Sequence, residues 1–72
     1  MRRFDTKALH HALDTQRRQR GLSWNAVALE TGVSAATLRR TKQGGRLGVD
    51  GMLAMVDWLD ETVETFVRVT NY

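Results

Sequence analysis

The stretch of residues 22–44 constrains the fold more than any other part of the 72-residue chain. It reads LSWNAVALETGVSAATLRRTKQG, and Gly32 divides it into two segments in which apolar residues recur at helical spacing. A glycine here permits a left-handed backbone conformation, so the chain can turn sharply between two helices. A serine precedes each segment and is a suitable N-cap. These features predict helices over residues 24–31 and 35–42.

The second of these helices carries its cations on one face. Leu38 is its main apolar residue and is expected to point inward. A rotation of about 100° per residue then defines the opposite face, which consists of Ala36, Arg39, Arg40 and Gln43. Arginine can donate two hydrogen bonds to guanine, glutamine can pair with adenine, and alanine can touch a thymine methyl. The face therefore fits a helix that reads DNA, although a solvated basic helix face has the same composition.

Charge is distributed unevenly along the chain. Residues 1–46 contain ten Lys and Arg against three Asp and Glu, a net charge of +7, whereas residues 47–72 carry −4. A basic half favours binding to a polyanion, and an acidic remainder limits nonspecific association. The alternative interpretation is the ordinary surface charge of a small basic domain.

Other functional classes have weak signatures in the sequence. The chain has no cysteine, which excludes disulfides and thiolate metal sites. His10 and His11 are adjacent and would point about 100° apart on a helix, a poor arrangement for one metal ion. The sequence shows no set of nucleophile, base and orienting group and no phosphate-binding glycine motif. We therefore expect no enzyme, no metal, no cofactor and no small-molecule ligand.

The longest apolar run, residues 51–56, is far too short to span a bilayer. No secretory signal is recognisable in the sequence. We therefore expect a soluble, cytoplasmic protein without a membrane partner.

A first helix is predicted over residues 6–20. Asp5 can cap its N-terminus, and Gly21 supplies a natural C-terminal stop. Residues 1–4 precede this helix and are expected to form a frayed arm, as chain termini often do.

Two more helices are predicted after the glycine-rich loop of residues 44–48. The fourth covers residues 49–59, and Thr62 can cap a fifth, short helix. The apolar face of the fourth helix is expected to contain Met52, Leu53, Met55, Val56 and Leu59. The expected fold class is all-α, a compact bundle of five short helices forming a single domain over residues 1–72.

Ten residues of the 22–44 stretch match, without a gap, a pattern that reads approximately LSQEELAEKAGVSRSTLSRIERG. The matching residues are Leu22, Ser23, Ala28, Gly32, Val33, Ser34, Thr37, Leu38, Arg40 and Gly44. With them the chain resembles the helix-turn-helix of the lambda-repressor-like family of transcriptional regulators, also called the Cro/CI or XRE family. A looser likeness continues through GRLGVDGMLAMVDWLDETVETF, so the resemblance covers about residues 6–67 and places the helix-turn-helix at residues 23–43.

The resemblance implies that the third helix lies in the major groove of double-stranded DNA while the second crosses the backbone. The residues that would face the bases are Ala35, Ala36, Arg39, Arg40 and Gln43. Relatives often have polar base-reading side chains at the two alanine positions, so the arginines are expected to carry more of the specificity here. The residues that would hold the DNA backbone are Ser23, Trp24, Ser34, Thr37, Gly45 and Arg46, with Arg17, Arg18, Arg2 and Arg3 as weaker candidates.

Three residues depart from the family pattern. Trp24 stands where the family usually has a glutamine that approaches the DNA backbone, and Thr41 occupies a usually aliphatic site. Lys42 replaces a glutamate that in some members pairs with an arginine at the position of Arg17. We expect Thr41 to weaken the packing of the third helix. We also expect Arg17 and Lys42 to diverge, with at least one directed to phosphate.

The expected function is that of a transcriptional regulator, more a repressor than an activator, because occluding a promoter requires no further domain. A phage immunity repressor and a host regulator fit equally well. The alternative is an antitoxin-type protein-interaction module, with an acidic C-terminal half for a basic toxin and with autoregulatory DNA binding.

The C-terminal helix and tail have two interpretations. They can form a homodimer contact through exposed apolar side chains, or they can close the core of the monomer, which we favour slightly. The residues concerned are Phe66, Val67, Val69 and Tyr72.

Overall fold

The structure, a computed structural model, describes residues 1–70, and that part of the chain is mostly helical with four α-helices and a small two-stranded sheet. The helices are α1 (Thr6–Gln19), α2 (Trp24–Thr31), α3 (Ala35–Arg40) and α4 (Val49–Trp58). The strands are β1 (Arg2–Phe4) and β2 (Val67–Val69), and two 3₁₀ turns cover Thr41–Gln43 and Val63–Phe66.

Side-chain caps define the starts of the first three helices. Asp5, Ser23 and Ser34 each accept a hydrogen bond from the backbone N–H three residues later, at 2.9 to 3.1 Å. Each bond satisfies an amide that has no partner within its helix. The predicted starts of α1, α2 and α3 are therefore confirmed.

The turn between α2 and α3 depends on Gly32, which has φ 77° and ψ 9° in the left-handed region. Its N–H donates to the carbonyl of Ala28 at 2.9 Å. The hydroxyl of Thr31 accepts from the N–H of Val33 at 3.1 Å, which holds the other side of the turn. A Cβ on Gly32 would meet no atom within 4 Å, so the backbone conformation rather than lack of space requires glycine.

The core contains side chains from all four helices, from the turn before α3 and from the second 3₁₀ turn. It consists of Leu9, Leu13, Val27, Val33, Leu38, Met55, Val56 and Phe66. Leu38 is fully buried, as predicted, so its burial fixes the rotation of α3. The opposite side of α3 is consequently left to solvent.

A network on the surface joins α1, α2 and α4. The carboxylate of Glu30 accepts two hydrogen bonds from Arg20, at 2.8 and 3.1 Å. It also accepts one from the indole N–H of Trp58 at 2.9 Å. The charge of Arg20 is therefore balanced by the carboxylate of Glu30.

The predicted fifth helix is not formed, and the expectation of five helices in an all-α bundle is wrong. Val63–Phe66 is a single 3₁₀ turn, and the side chain of Thr62 makes no capping hydrogen bond to it. The chain continues as β2, in which Val67 and Val69 alternate with an arginine. β-branched side chains favour this extended backbone, and a partner strand is present to receive it.

The partner strand is formed by the first residues of the chain, so the prediction of a frayed arm over residues 1–4 is also wrong. β1 pairs antiparallel with β2, with Arg2 opposite Val69 and Phe4 opposite Val67. The rings of Phe4 and Phe66 lie 5.9 Å apart between centroids. The two ends of the described chain are thereby fixed to each other and to the core.

The four residues suggested for a homodimer contact have different environments. Phe66 is buried and closes the core, which agrees with the interpretation that we favoured for it. Val67 is half-buried, whereas Val69 is 72% exposed. Tyr72 lies outside the described residues.

Two helix details differ from the sequence expectations. The α-helical part of α3 ends at Arg40, and Thr41–Gln43 continue it as a 3₁₀ turn. Leu53, predicted on the apolar face of α4, is 44% exposed. It points about 110° away from the midpoint of the buried pair Met55 and Val56, which is too far to reach the core.

Candidate functional site

The eleven Lys and Arg side chains fall into two groups. Five arginines lie within 4.0 Å of a carboxylate, in the pairs Arg2–Glu64, Arg17–Asp14, Arg18–Asp14, Arg20–Glu30 and Arg68–Asp5. The other six are exposed and have no such partner within residues 1–70. They are Arg3, Lys7, Arg39, Arg40, Lys42 and Arg46. The positive charge of the protein is therefore concentrated in these six side chains.

The six unpaired cations lie on segments that contact one another. The hydroxyl of Thr6 donates to the carbonyl of Gly45 at 2.7 Å, which joins the start of α1 to the loop after α3. Arg3 and Arg46 line the same surface depression beside this bond. We refer to the six cations together as the basic surface. Sequence reasoning did not select Lys7 for it, because only the contact between α1 and the loop places this lysine there.

The side chains predicted to read bases lie on or beside the outer side of α3. Leu38 and Thr41 face inward and are at most 1% exposed. The exposed side chains are Ala36, Arg39, Arg40 and Gln43, and Ala35 is half-buried. Because residues three apart are aligned in a 3₁₀ helix, the turn after α3 brings Gln43 into line with Arg40. Arg40 and Gln43 thus lie in one row on the outer side of α3, beside the small side chain of Ala36.

A second depression, which we call the His10 depression, lies where α1 meets α2 and the end of α3. Its lining includes Arg18, Trp24, Arg39, Lys42 and His10 itself. Two members of the basic surface are therefore adjacent to an aromatic side chain and to an imidazole. The sequence suggested His10 only as a metal ligand. Its ring is held at this depression by a hydrogen bond to Thr41, which lies 31 positions further along the chain.

Trp24 contacts two side chains of α1. Its ring is stacked on His10 at 5.6 Å between centroids, with 29° between the planes. The guanidinium carbon of Arg17 lies 4.6 Å from the centre of the indole. The tryptophan that replaces the expected glutamine thus packs α2 against α1 while remaining half-exposed to solvent.

Arg17 is held by contacts inside the protein. It donates to Asp14 at 2.6 Å and to the carbonyl of Leu22 at 2.9 Å. The hydrogen bond from Arg17 to Asp14, followed by the charge of Arg18, holds the pKa of Asp14 below its ordinary value despite its partial burial. Lys42 is exposed and does not meet an unbalanced charge on Arg17, because Asp14 neutralises it. The direction of either side chain toward phosphate stays a prediction.

Thr41 has a role that the resemblance did not indicate. It is 1% exposed, and its hydroxyl donates to the carbonyl of Leu38 at 2.6 Å. The same oxygen lies 2.8 Å from Nδ1 of His10. A threonine hydroxyl has one proton, so Nδ1 of His10 is the donor of this second bond. Thr41 therefore connects α1 to the end of α3, where a weakened contact was expected.

The remaining residues predicted to hold the DNA backbone are at the surface. Ser23 and Ser34 are exposed helix caps, and Ser34 also donates to the hydroxyl of Thr37 at 2.8 Å. Gly45 has φ 89° and is exposed beside Arg46. Two of the weaker candidates, Arg2 and Arg18, are exposed but already paired with carboxylates.

Comparison of the chain with protein-family models, with curated proteins and with solved structures gave no match. In the part of the chain that the structure describes, no helix has the length and apolar character needed to cross a membrane. The same residues contain no group of three or more His, Asp and Glu side chains arranged to hold a metal ion. The basic surface and the His10 depression are the two candidate binding sites of the described residues.

Proposed function

We propose that the protein is a sequence-specific DNA-binding transcriptional regulator that acts as a repressor. In this proposal α2, the turn at Gly32 and α3 form a helix-turn-helix, and α3 enters the major groove. The observation that carries the proposal is the basic surface, six exposed cations that have no carboxylate within 4.0 Å in residues 1–70 and that lie on α3, on the turn and loop after it, and on the start of the chain. Such a surface gains free energy from DNA because each neutralised phosphate releases condensed counterions.

The proposed complex divides base reading from backbone holding. Arg39, Arg40 and Gln43 offer donors and an amide to base edges, and the two alanines of α3 allow close approach. The remaining contacts go to phosphates and fix the position of α3 on the duplex. They would come from Arg3, Lys7, Lys42, Arg46, Ser23, Trp24 and Thr37.

Repression follows from occupation of the promoter by the bound domain. A domain seated in the major groove at a promoter excludes polymerase from the same base pairs, and no additional activity is needed. An activator would need a patch that contacts polymerase, and we assign none.

A second candidate function is an antitoxin-type protein-interaction module with autoregulatory DNA binding. It is supported by the carboxylates that have no cation within 4.0 Å in residues 1–70, all of which lie in or just after α4. They are Asp50, Asp57, Asp60 and Glu61. Copurification with a basic toxin expressed from an adjacent reading frame would favour this candidate.

Selection of bound sequences from random DNA tests the main proposal. We expect a short motif to be enriched, and a palindromic motif would indicate two half-sites about one helical turn apart. The matched variants are the double change Arg39→Ala and Arg40→Ala, which should abolish enrichment, and Arg68→Ala, which removes a paired arginine on β2 and should preserve it. Enrichment that is absent for the wild type, or equal for all three proteins, would contradict the proposal.

A further inference from the structure

We propose that one phosphate of the DNA backbone occupies the His10 depression and accepts a hydrogen bond from protonated His10, so that DNA binding takes up a proton. This inference rests on the proposed function and adds to it a contact from α1 and a dependence on pH. Neither the resemblance nor the charge pattern of the sequence selects this histidine.

The hydrogen bond to Thr41 fixes which nitrogen of His10 titrates. Since Thr41 has already donated its proton to Leu38, Nδ1 must keep its own proton to satisfy the contact at 2.8 Å. Nε2 is therefore the nitrogen that gains or loses a proton. Every buried side-chain nitrogen and oxygen of the half-buried and buried residues within residues 1–70 has a hydrogen-bond partner, and the hydrogen bond of His10 to Thr41 uses Nδ1. It follows that Nε2 is not fully buried.

The charged groups around His10 favour an anion in the depression. Asp14 and Arg17 face it from α1, and Lys42 faces it from the turn after α3. Arg18 and Arg39 line the same depression, and the α2 side chain that packs on the ring, Trp24, is neutral. The single carboxylate is bound by Arg17 and Arg18. The other two cations of the depression, Arg39 and Lys42, have no carboxylate within 4.0 Å in residues 1–70.

The environment of His10 in the free protein disfavours its charged form. Burial is the largest cause that lowers the pKa of His10 below 6.5, and Lys42 and Arg17 lower it further, whereas Asp14 and the carbonyl of Leu38 oppose the change. A phosphate oxygen at Nε2 reverses this balance, because an anion and a hydrogen-bond acceptor both stabilise the imidazolium.

The direction of the pH effect follows from this difference. His10 has a higher pKa in the complex than in the free protein, so binding takes up a proton at pH values between the two. DNA affinity rises as the pH falls through the pKa of the complex and levels off below the pKa of the free protein. Each pH unit between the two pKa values corresponds to about a tenfold gain in affinity.

The direct test is an NMR titration of the imidazole ring protons, in the free wild-type protein and in its complex with a random-sequence duplex about two helical turns long. We expect the pKa of His10 to be higher in the complex. A pKa of His10 that is the same in both would overturn the inference while duplex binding leaves the proposed function intact. Failure to bind any duplex at any pH would overturn both.

A pair of variants separates a phosphate contact from a structural role. His10→Asn keeps a donor near the position of Nδ1 for Thr41 but removes Nε2, and should bind DNA with no rise in affinity between about pH 7.5 and 5.5. His11→Asn changes the exposed neighbouring histidine and should retain the wild-type rise. A rise that persists in folded His10→Asn, or disappears in His11→Asn, would contradict the proposal. If His10→Asn does not fold, the NMR titration of the wild type decides the question alone.

Discussion

Nδ1 of His10 lies 2.8 Å from the hydroxyl oxygen of Thr41, although 31 positions separate the two residues in the chain. The bond connects the middle of α1 to the 3₁₀ turn that follows α3. It fixes the rotation of the imidazole, and it holds the end of the helix that carries Arg39 and Arg40. One polar contact thus positions both the proposed base readers and the proposed proton acceptor.

Replacing Thr41 by valine tests the importance of this bond. Valine has the same shape but leaves the Nδ1 proton of His10 without its acceptor, so the free energy of unfolding should fall by about 1–3 kcal/mol. Thr41→Ser keeps the hydroxyl and serves as the control. Urea unfolding measures both, and a valine variant as stable as the wild type would show that an aliphatic side chain suits this site.

Leu38→Ala should be among the most destabilising single changes in α3. The side chain is fully buried, and its truncation should cost about 2–5 kcal/mol. Because a small domain has only about 5–15 kcal/mol of total stability, much of the protein should unfold. Leu53→Ala is the control, since that leucine is 44% exposed and its loss should cost less. Thermal unfolding followed by circular dichroism measures the stability of both variants. A Leu38→Ala protein as stable as the wild type would show that α3 has another rotation.

Arg40→Ala and Arg46→Ala should affect DNA binding differently. The first should cost about 1–3 kcal/mol at the selected site and relax base preference there. The second should weaken specific and random duplexes alike and reduce the slope of affinity against salt concentration. Fluorescence anisotropy with both duplexes at several salt concentrations distinguishes the two effects. Equal losses on both duplexes from both changes would contradict the division between reading and holding.

Asp14 should contribute to stability above its ordinary pKa of 3.8 and lose that contribution in acid. Its pKa is lower in the folded protein, mainly through the hydrogen bond from Arg17, so the unfolded chain binds more protons as the pH falls below 3.8. Stability should therefore decrease through this range toward the lower pKa of the folded state.

Asp14→Asn should remove this part of the acid dependence. The control is Asp57→Asn, which removes a carboxylate that has no cation within 4.0 Å in residues 1–70. Urea unfolding at a series of acidic pH values measures the effect. Identical pH profiles for Asp14→Asn and the wild type would show that the pair of Asp14 with Arg17 does not cause the loss of stability in acid.

Much of the helical part of the fold could be predicted because its signals are local. The caps at Asp5, Ser23 and Ser34 each act within one helical turn, and the conformation of Gly32 depends on its own backbone. The rotation of α3 also followed from the sequence, since Leu38 is its one large apolar side chain. The exposure of Arg39 and Arg40 could therefore be predicted from the sequence.

The errors concern contacts between distant parts of the chain. Residues 63–67 have apolar side chains at spacings that a helix can accommodate, but the backbone groups of β2 find partners in β1, more than sixty positions away. Two strands of three residues are too short to show a clear alternation in sequence. Only the closure of the two ends on each other makes the sheet favourable over a fifth helix.

Local sequence patterns specify the four helices, the turn between α2 and α3, and the outward direction of the arginines on α3, because these features depend on residues within a few positions of one another. The tertiary structure decided which cations remain unpaired, since the partners of Arg2, Arg20 and Arg68 lie on other elements. It also decided the position of His10 through its bond to Thr41. Charge balance and side-chain protonation depend on neighbours in space, which a linear pattern of residues does not specify.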